Sequence, residues 1–259
     1  MIQLNSHPLA GKRGLVLGIA NEHSIAYGCA EAFRALGAEV AITYLNEKAK
    51  PYVEPLANAL ASPIFMPCDV SREGQLEAVF ERIGKEWGQI DFALHSIAFA
   101  PMADLHGRLV DSSRDGFLTA MDISCHSFIR VAKLAEPLMT KGGALFTMSY
   151  IGAEKVIENY NLMGPVKAAL EGSVRYLAHE LGPRKIRVHA ISPGPLMTRA
   201  ASGIANFNDL MDNTAKRMPM HREVTISDVG MTTAYLATDY ARSMTGGTVY
   251  IDGGYHIEG

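Results

Sequence analysis

Short apolar runs rich in β-branched residues alternate with longer helical patterns from one end of the chain to the other, and that alternation leaves few folds open. The strand candidates are Leu15–Ile19, Glu39–Tyr44, Ile64–Met66, Asp91–His95, Ala144–Ser149, Ile186–Ile191 and Thr248–Ile251. Helical patterns begin between them near Ser24, Lys48, Ser71, Ser112, Ser124, Tyr160 and Ser227. That order predicts a parallel sheet with helices on both faces. Near-continuous apolar strands such as GLVLGIA suit a sheet buried on both sides. The expectation is an α/β chain, a doubly wound parallel sheet of about seven strands, forming a single domain over residues 1–259 with no repeat, low-complexity stretch or linker to divide it.

A chain of 259 residues, 48% of them hydrophobic, can bury a full core. Its net charge of -3 gives no electrostatic footprint for nucleic acid. Cys29, Cys68 and Cys125 are far apart and odd in number, so they form neither a disulfide framework nor a zinc pattern. No metal site is expected, and a reducing, cytoplasmic setting is. The opening run MIQLNSHPLAGKR lacks a basic region before an apolar core, and no apolar run reaches membrane-spanning length, so no membrane partner is expected.

In such sheets ligands bind at the carboxyl ends of the strands, where the strand order reverses. The first strand runs into GIANEHSIAYG, where Gly18 lets the chain turn and lets a phosphate approach the backbone, and Ser24 is placed to cap a helix that Gly37 ends. The N-terminus of that helix could receive a pyrophosphate. An ordinary capped strand-turn-helix fits the same residues, because this is not G-x-G-x-x-G; its place at the first strand of an α/β chain favours a dinucleotide. After the second strand, Leu45 and Asn46 offer neither the carboxylate that takes ribose hydroxyls nor the base that takes a 2′-phosphate. The missing base directly after Tyr44 favours NADH over NADPH. The third strand ends in CDVS, where Asp69 could meet an adenine edge and Val70 its ring, or Asp69 could simply precede a helix capped by Ser71. The fourth ends in HSIAFAP, small residues that suit either a cofactor or a structural turn.

The fifth strand end carries the chemistry. Tyr160 and Lys167 stand seven positions apart in YNLMGPVK. On one continuous helix they would share a face about two turns apart, or ~10.5 Å of rise. Ketone-reducing short-chain dehydrogenases place tyrosine and lysine four apart, which is excluded here: Gly164 lies four after Tyr160, and Glu154 four after Tyr150.

Together with GIANEHSIAYG, HSIAFAP, SPGPLMTRAASGI and YIDGG, the run SYIGAEKVIENYNLMGPVK closely resembles the FabI-type enoyl-[acyl-carrier-protein] reductases, divergent members of the short-chain dehydrogenase/reductase superfamily. The resemblance extends from about Leu9 to Tyr255. It implies a Rossmann-type fold and NADH-dependent reduction of the trans-2 double bond of an acyl-carrier-protein thioester in fatty acid elongation. By resemblance, Tyr160 hydrogen-bonds the thioester oxygen, Lys167 holds the nicotinamide ribose, and Tyr150 is a second pocket tyrosine. The implied cofactor contacts are Gly18, Ile19, Ser24, Ile25, Asp69, Val70, Ser96, Ile97, Lys167, Pro193, Leu196 and Thr198. The implied substrate contacts are Ala98, Phe99, Tyr150, Met163, Ala200, Ala201, Ile204 and Phe207, with a substrate-binding segment over about 196–212. Within it Met197, Ala201, Ile204, Phe207 and Met211 recur as one helical stripe that either packs on the core or closes over an acyl chain. A homotetramer is implied too.

The longer spacing has a physical reading. In ketone reduction the carbon that accepts hydride bears the oxygen; in enoyl reduction the oxygen lies two carbons away. With lysine anchored on the ribose, a phenol moved a turn along the helix can follow it and stabilise the charge as it develops. Otherwise both tyrosines are core residues and Lys167 a snorkelling surface lysine.

Three positions depart from the family pattern. Ala98 replaces a frequent glycine and narrows the pocket. Pro165 cannot donate to the Asn161 carbonyl, so a kink or a water is expected inside the Tyr160 helix. The segment ANFND lacks the basic residues that some members carry there for the acidic carrier protein, leaving Arg199, Lys216, Arg217 and Arg222 for docking. Two other functions stay open: another short-chain reductase acting on 3-ketoacyl or alcohol substrates, or a catalytically silent nucleotide-binding sensor on the same fold.

Overall fold

Seven strands pair in parallel: β1 Arg13–Leu17, β2 Glu39–Tyr44, β3 Phe65–Pro67, β4 Phe92–His95, β5 Gly143–Met148, β6 Ile186–Pro193 and β7 Thr248–Ile251. Their spatial order is β3-β2-β1-β4-β5-β6-β7. The computed structural model describes residues 5–198 and 207–258. The helices are α1 Ile25–Ala35, α2 Lys50–Ala59, α3 Gln75–Trp87, α4 Met102–Leu105, α5 Arg114–Met121, α6 Ser127–Ala135, α7 Met163–Leu181, α8 Phe207–Arg217 and α9 Ile226–Ala237.

Alternation along each strand sends side chains to opposite faces, and both faces are dry. Leu15 and Leu17 of β1 join Leu76 of α3, Phe128 of α6 and Val166 of α7 in one apolar cluster. Val16, between them, joins Phe33 of α1, Val53 of α2 and Val229 of α9 in the other. After β3 the chain crosses to the far side of β1, so the order reverses between β1 and β4 and a crevice opens at their carboxyl ends.

The helix ends follow local chemistry. Gly37, at φ +102°, closes α1 with its N–H on the Arg34 carbonyl, while Ala38 N–H reaches Phe33 O at 3.0 Å. Several sequence-based boundaries shift. β1 stops at Leu17 because Gly18 takes φ +103°. The helix expected from Ser71 starts at Gln75, since the Ser71 N–H and hydroxyl both bond the Asp69 carboxylate in a turn. Ser124 does not begin a helix: it lies in a π-helical segment, Asp122–His126, that joins α5 to α6.

Helices α1 and α9 cross with almost no side-chain padding. A Cβ on Gly28 would stand 2.4 Å from the Ile226 carbonyl oxygen, and one on Gly230 would stand 2.2 Å from the Gly28 carbonyl oxygen. Backbone cannot yield as a flexible side chain does, so Gly28→Ala or Gly230→Ala should cost about 1–3 kcal/mol. Thermal unfolding is expected to show each variant several degrees less stable, roughly 2–4 °C per kcal/mol for a chain of this size. Unchanged melting in both would mean the two helices are free to move apart.

Candidate active site

A cleft of about 400 Å³ opens where the strand order reverses. The turn after β1 contributes Gly18, Ser24 and Ile25, and the segment after β4 contributes Ser96–Ala100. Helix α4 contributes Met102 and Leu105, the end of β5 Met148–Tyr150, and the run after β6 Pro193–Leu196 and Thr198. Tyr160, Met163 and Lys167 form the remaining wall.

Tyr160 and Lys167 reach this cleft by different routes, which corrects the shared-helix geometry. Helix α7 begins only at Met163. Tyr160 sits in the preceding turn between Asn159 at φ +63° and Asn161 at φ +42°. Two left-handed residues cannot continue a helix, and asparagine tolerates that conformation. The ~10.5 Å ideal rise therefore does not describe the pair. Pro165 stands at the third position of α7, where a helix has no partner for the N–H, so the expected kink has no cause. Gly164 N–H takes the Asn161 carbonyl instead, at 3.1 Å. The Asn161 side chain donates to the Leu105 carbonyl at 2.9 Å, tying this turn to α4.

The Tyr160 ring lies against the backbone of Gly152: a Cβ there would be 2.4 Å from its Cδ1. The Tyr150 ring meets it edge-on, at 5.0 Å between centroids and 65° between planes. Burial, with smaller contributions from Tyr150 and Glu171, pushes the Tyr160 phenol far above the usual range, so it stays protonated and can donate. Burial also raises Tyr150, whose hydroxyl is enclosed without a hydrogen-bond partner among the described residues.

Lys167 is 4% exposed. Its burial pulls the ammonium down to about 8, while Cys125 and Glu171 act in the opposite direction. Among the described residues its Nζ meets one acceptor, the Met148 carbonyl oxygen at 2.6 Å. An ammonium has three N–H bonds, so two remain for a ligand. This is no snorkelling surface lysine. His95, at the end of β4, is neutral: burial and the charge of Lys167 bring it down to about 3. Its ring nitrogens bond Thr147 at 3.0 Å and Ser127 at 2.7 Å, which makes it a structural strut.

The rest of the cleft suits a dinucleotide. A Cβ on Gly18 would be 2.0 Å from the Ser96 carbonyl oxygen, so the β1 and β4 turns meet backbone to backbone. Ser24 precedes α1 as expected but does not cap it. Its hydroxyl accepts from the N–H groups of Ala20 and Asn21, each at 3.0 Å, and leaves the first N–H groups of α1 without a side-chain cap. Those groups are what an anionic pyrophosphate would use. Ser192 Oγ, at the end of β6, is buried without a partner among the described residues.

Other expected residues lie elsewhere. Ile19 is 3% exposed and packs in the apolar cluster beneath the turn. Asp69 and Val70 stand outside the cleft wall, and the Asp69 carboxylate serves the Ser71 turn. Ala200, Ala201 and Ile204, like Arg199, fall outside the described residues, as does the side chain of Phe207. Met197 precedes them in non-helical backbone, so the stripe drawn from Met197 to Met211 is not one helix; α8 begins at Phe207. Sequence reasoning missed Met102, Leu105, Met148 and Ser149 as wall residues. The four-residue α4 is too short to show a period, but Met148 and Ser149 adjoin Tyr150 and were open to the strand-end argument.

The profile of the family described as Enoyl-(Acyl carrier protein) reductase matches residues 18–256. A NADH enoyl-acyl-carrier-protein reductase of Rhizobium meliloti is 47% identical over 247 residues, 95% of this chain and 92% of that one. That of Escherichia coli K12 is 46% identical over 250 residues, 96% of this chain and 95% of that one. Among solved structures, the Anaplasma phagocytophilum enoyl-acyl-carrier-protein reductase in complex with NAD has a TM-score of 0.94 at 48% identity, covering 98% of this chain and 97% of that one. The Bacillus cereus enzyme with NADP+ and an indole naphthyridinone has a TM-score of 0.95 at 44% identity, covering 98% and 99%. With this extent of match, the chain belongs to the enoyl-acyl-carrier-protein reductase family of the short-chain dehydrogenase/reductase superfamily.

Proposed function

We propose that the chain reduces the trans-2 double bond of enoyl thioesters on acyl carrier protein, in fatty acid elongation, with NADH as reductant. The observation that carries this reading is the pairing of a protonated, buried Tyr160 held off α7 with a buried Lys167 held on it, both walling one cleft. NADH when bound supplies the hydride that the β-carbon accepts. The Gly18 turn and the uncapped end of α1, with Ser24 and Ile25, hold the pyrophosphate. Lys167 spends its two remaining N–H bonds on ribose hydroxyls. Ser96, Ile97, Pro193, Leu196 and Thr198 flank the nicotinamide, while Ile19 supports the turn from below and Asp69 with Val70 receives the adenine end.

As hydride arrives at the β-carbon, negative charge develops on the thioester oxygen two carbons away. Tyr160 donates a hydrogen bond to that oxygen, and does so best in the transition state, where the charge is largest. Tyr150 closes the other side of the site. Ala98, Phe99, Met163, Met102 and Leu105 give the acyl chain an apolar wall, and this reading keeps Ala200, Ala201, Ile204 and Phe207 of the substrate-binding segment 196–212 as further acyl contacts. NADH is preferred over NADPH because Leu45 is exposed and Asn46 Oδ1 is occupied by the N–H groups of Lys48 and Ala49, each at 3.1 Å, with no base directly after Tyr44.

The acidic carrier protein docks on the basic residues at and after the end of α8, Lys216, Arg217 and Arg222, the last of them also paired with Asp228 at 2.7 Å. Exposed Phe117, Leu118, Ile129 and Tyr176 on α5–α7 support assembly into a homotetramer. No described helix is long and apolar enough to cross a membrane.

Two sets of measurements test this reading. Crotonyl thioester should drive NADH oxidation and acetoacetyl thioester should not; oxidation with acetoacetyl alone would replace the reading with ketone reduction, and none with either would favour a sensor. Tyr160→Phe should lower kcat by roughly 10²-fold or more with NADH affinity kept, the scale of a lost oxyanion donor. Lys167→Ala should weaken NADH binding, and undiminished turnover in Tyr160→Phe would remove its role.

The second set concerns pH. Below pH 8 both folded and unfolded chains carry the Lys167 proton, and the folded state bears the full desolvation cost. Between about 8 and the ordinary lysine value of 10.5 the unfolded chain binds more protons, so this penalty fades as pH rises. Lys167→Met apoprotein should therefore be more stable than the parent at pH 7, with the gap shrinking toward pH 10. A gap that is constant with pH would show that Lys167 is not desolvated.

A further inference from the structure

Glu171 is a carboxylic acid only 5% exposed, one turn beyond Lys167 on the same face of α7, and no step above uses it. Its Oε1 accepts the Ser149 hydroxyl at 2.5 Å. One residue earlier, the Met148 carbonyl accepts from Lys167. Successive residues at the end of β5 are thus gripped by successive turns of α7. Ser149 is fixed on the sheet side as well, its N–H bonded to Ile191 O at 2.7 Å. The next residue is Tyr150, where the chain leaves the sheet at φ -158°, ψ 151° and enters the turn whose Gly152 bears on the Tyr160 ring.

We infer that Glu171 is a positioning residue of this site: through the Ser149 hydroxyl it sets the point at which β5 gives way to Tyr150, and so aligns the Tyr150–Gly152–Tyr160 stack. The inference rests on the enoyl-reductase reading. Burial raises the Glu171 carboxyl, opposed by its hydrogen bonds from Ser149 and Thr248 and by Arg175 and reinforced by Glu154. A buried acid carries a cost that an apolar residue of similar size avoids, so its presence calls for a local task. Two tasks are distinguishable. In alignment, an acceptor oxygen is enough and charge is not. In support of the Lys167 charge, the negative charge is essential.

The groups facing Glu171 are Ser149 just past β5, Thr248 and Tyr250 from β7, Glu154 and Tyr160 from the segment between Tyr150 and α7, and Lys167 and Arg175 from its own helix. Glutamine at 171 keeps the acceptor and removes the charge. Steady-state kinetics with crotonyl thioester and NADH, with NADH affinity measured separately by fluorescence, should therefore give the following. Glu171→Ala loses roughly tenfold or more in kcat/KM for the thioester, the scale of a buried hydrogen bond broken on one side, with the NADH Kd within about twofold. Ser149→Ala, a smaller change that covers the case where Glu171→Ala does not fold, shows a similar loss. The double variant is no worse than the worse single one. Glu171→Gln recovers most of the activity and leaves the basic limb of the pH profile unmoved. Full activity in Glu171→Ala or Ser149→Ala would overturn the inference. So would a Glu171→Gln as weak as alanine with its basic limb shifted down, which assigns the charge role instead. Failure of the parent protein to oxidise NADH with the thioester would sink the enoyl reading, whereas loss confined to none of the variants sinks only this one.

Discussion

The buried ammonium of Lys167 is the constraint on which the site depends. Taking a lysine out of water is costly, and here the cost is only partly met by one hydrogen bond to the Met148 carbonyl. That bond joins α7 to the end of β5, so the helix and the strand that carry Lys167 and Tyr150 are fixed to each other before any ligand arrives. The remaining donors of the same ammonium stay available to a ligand in the cleft. Stability given up at Lys167 is binding capacity kept in reserve, a common pattern at functional sites.

This anchor does not place the phenol. Tyr160 is not on the anchored helix, and its position comes from contacts of its own: the Gly152 backbone, the edge of Tyr150, and the Asn161 amide on Leu105. Separate supports place the phenol and the ammonium in one cleft without tying one to the other, which is what the proposed roles on substrate and ribose require. His95, neutral and with both ring nitrogens bonded to Thr147 and Ser127, takes no part in the cleft wall, whereas the protonated Tyr160 phenol stands in it as a donor.

The sheet was legible because buried parallel strands write themselves as apolar runs. β2 and β7 fall on their expected residues, and β1 shifts only because a positive φ at Gly18 is not a matter of hydrophobicity. The tyrosine–lysine spacing pointed to the right family, but its geometry is not that of one shared helix. Periodicity over YNLMGPVK could not register that Asn159 and Asn161 are left-handed, so the helix was started three residues early and Pro165 taken for a kink rather than a first-turn residue. Ser124 looked like a helix start, yet its hydroxyl both accepts from and donates to the Phe99 backbone, at 2.9 and 3.0 Å, a tertiary pairing no local pattern announces. Glu171 has no signal in the sequence, because its partner Ser149 is 22 residues away.

The central claim is that Tyr160 is aimed by the turn it packs on, independently of Lys167, to meet charge on the thioester oxygen. Gly152→Ala tests it most directly, since Gly152 has an ordinary φ and its new Cβ would meet the Tyr160 ring and, at 3.3 Å, that of Tyr150. Single-turnover hydride transfer to crotonyl thioester is the quantity to measure, alongside the NADH Kd. The account predicts transfer slowed by roughly 10-fold or more with NADH affinity unchanged, as expected when a transition-state donor is misplaced by about 1 Å. Transfer at the parent rate, or a loss that tracks weakened NADH binding, would contradict it.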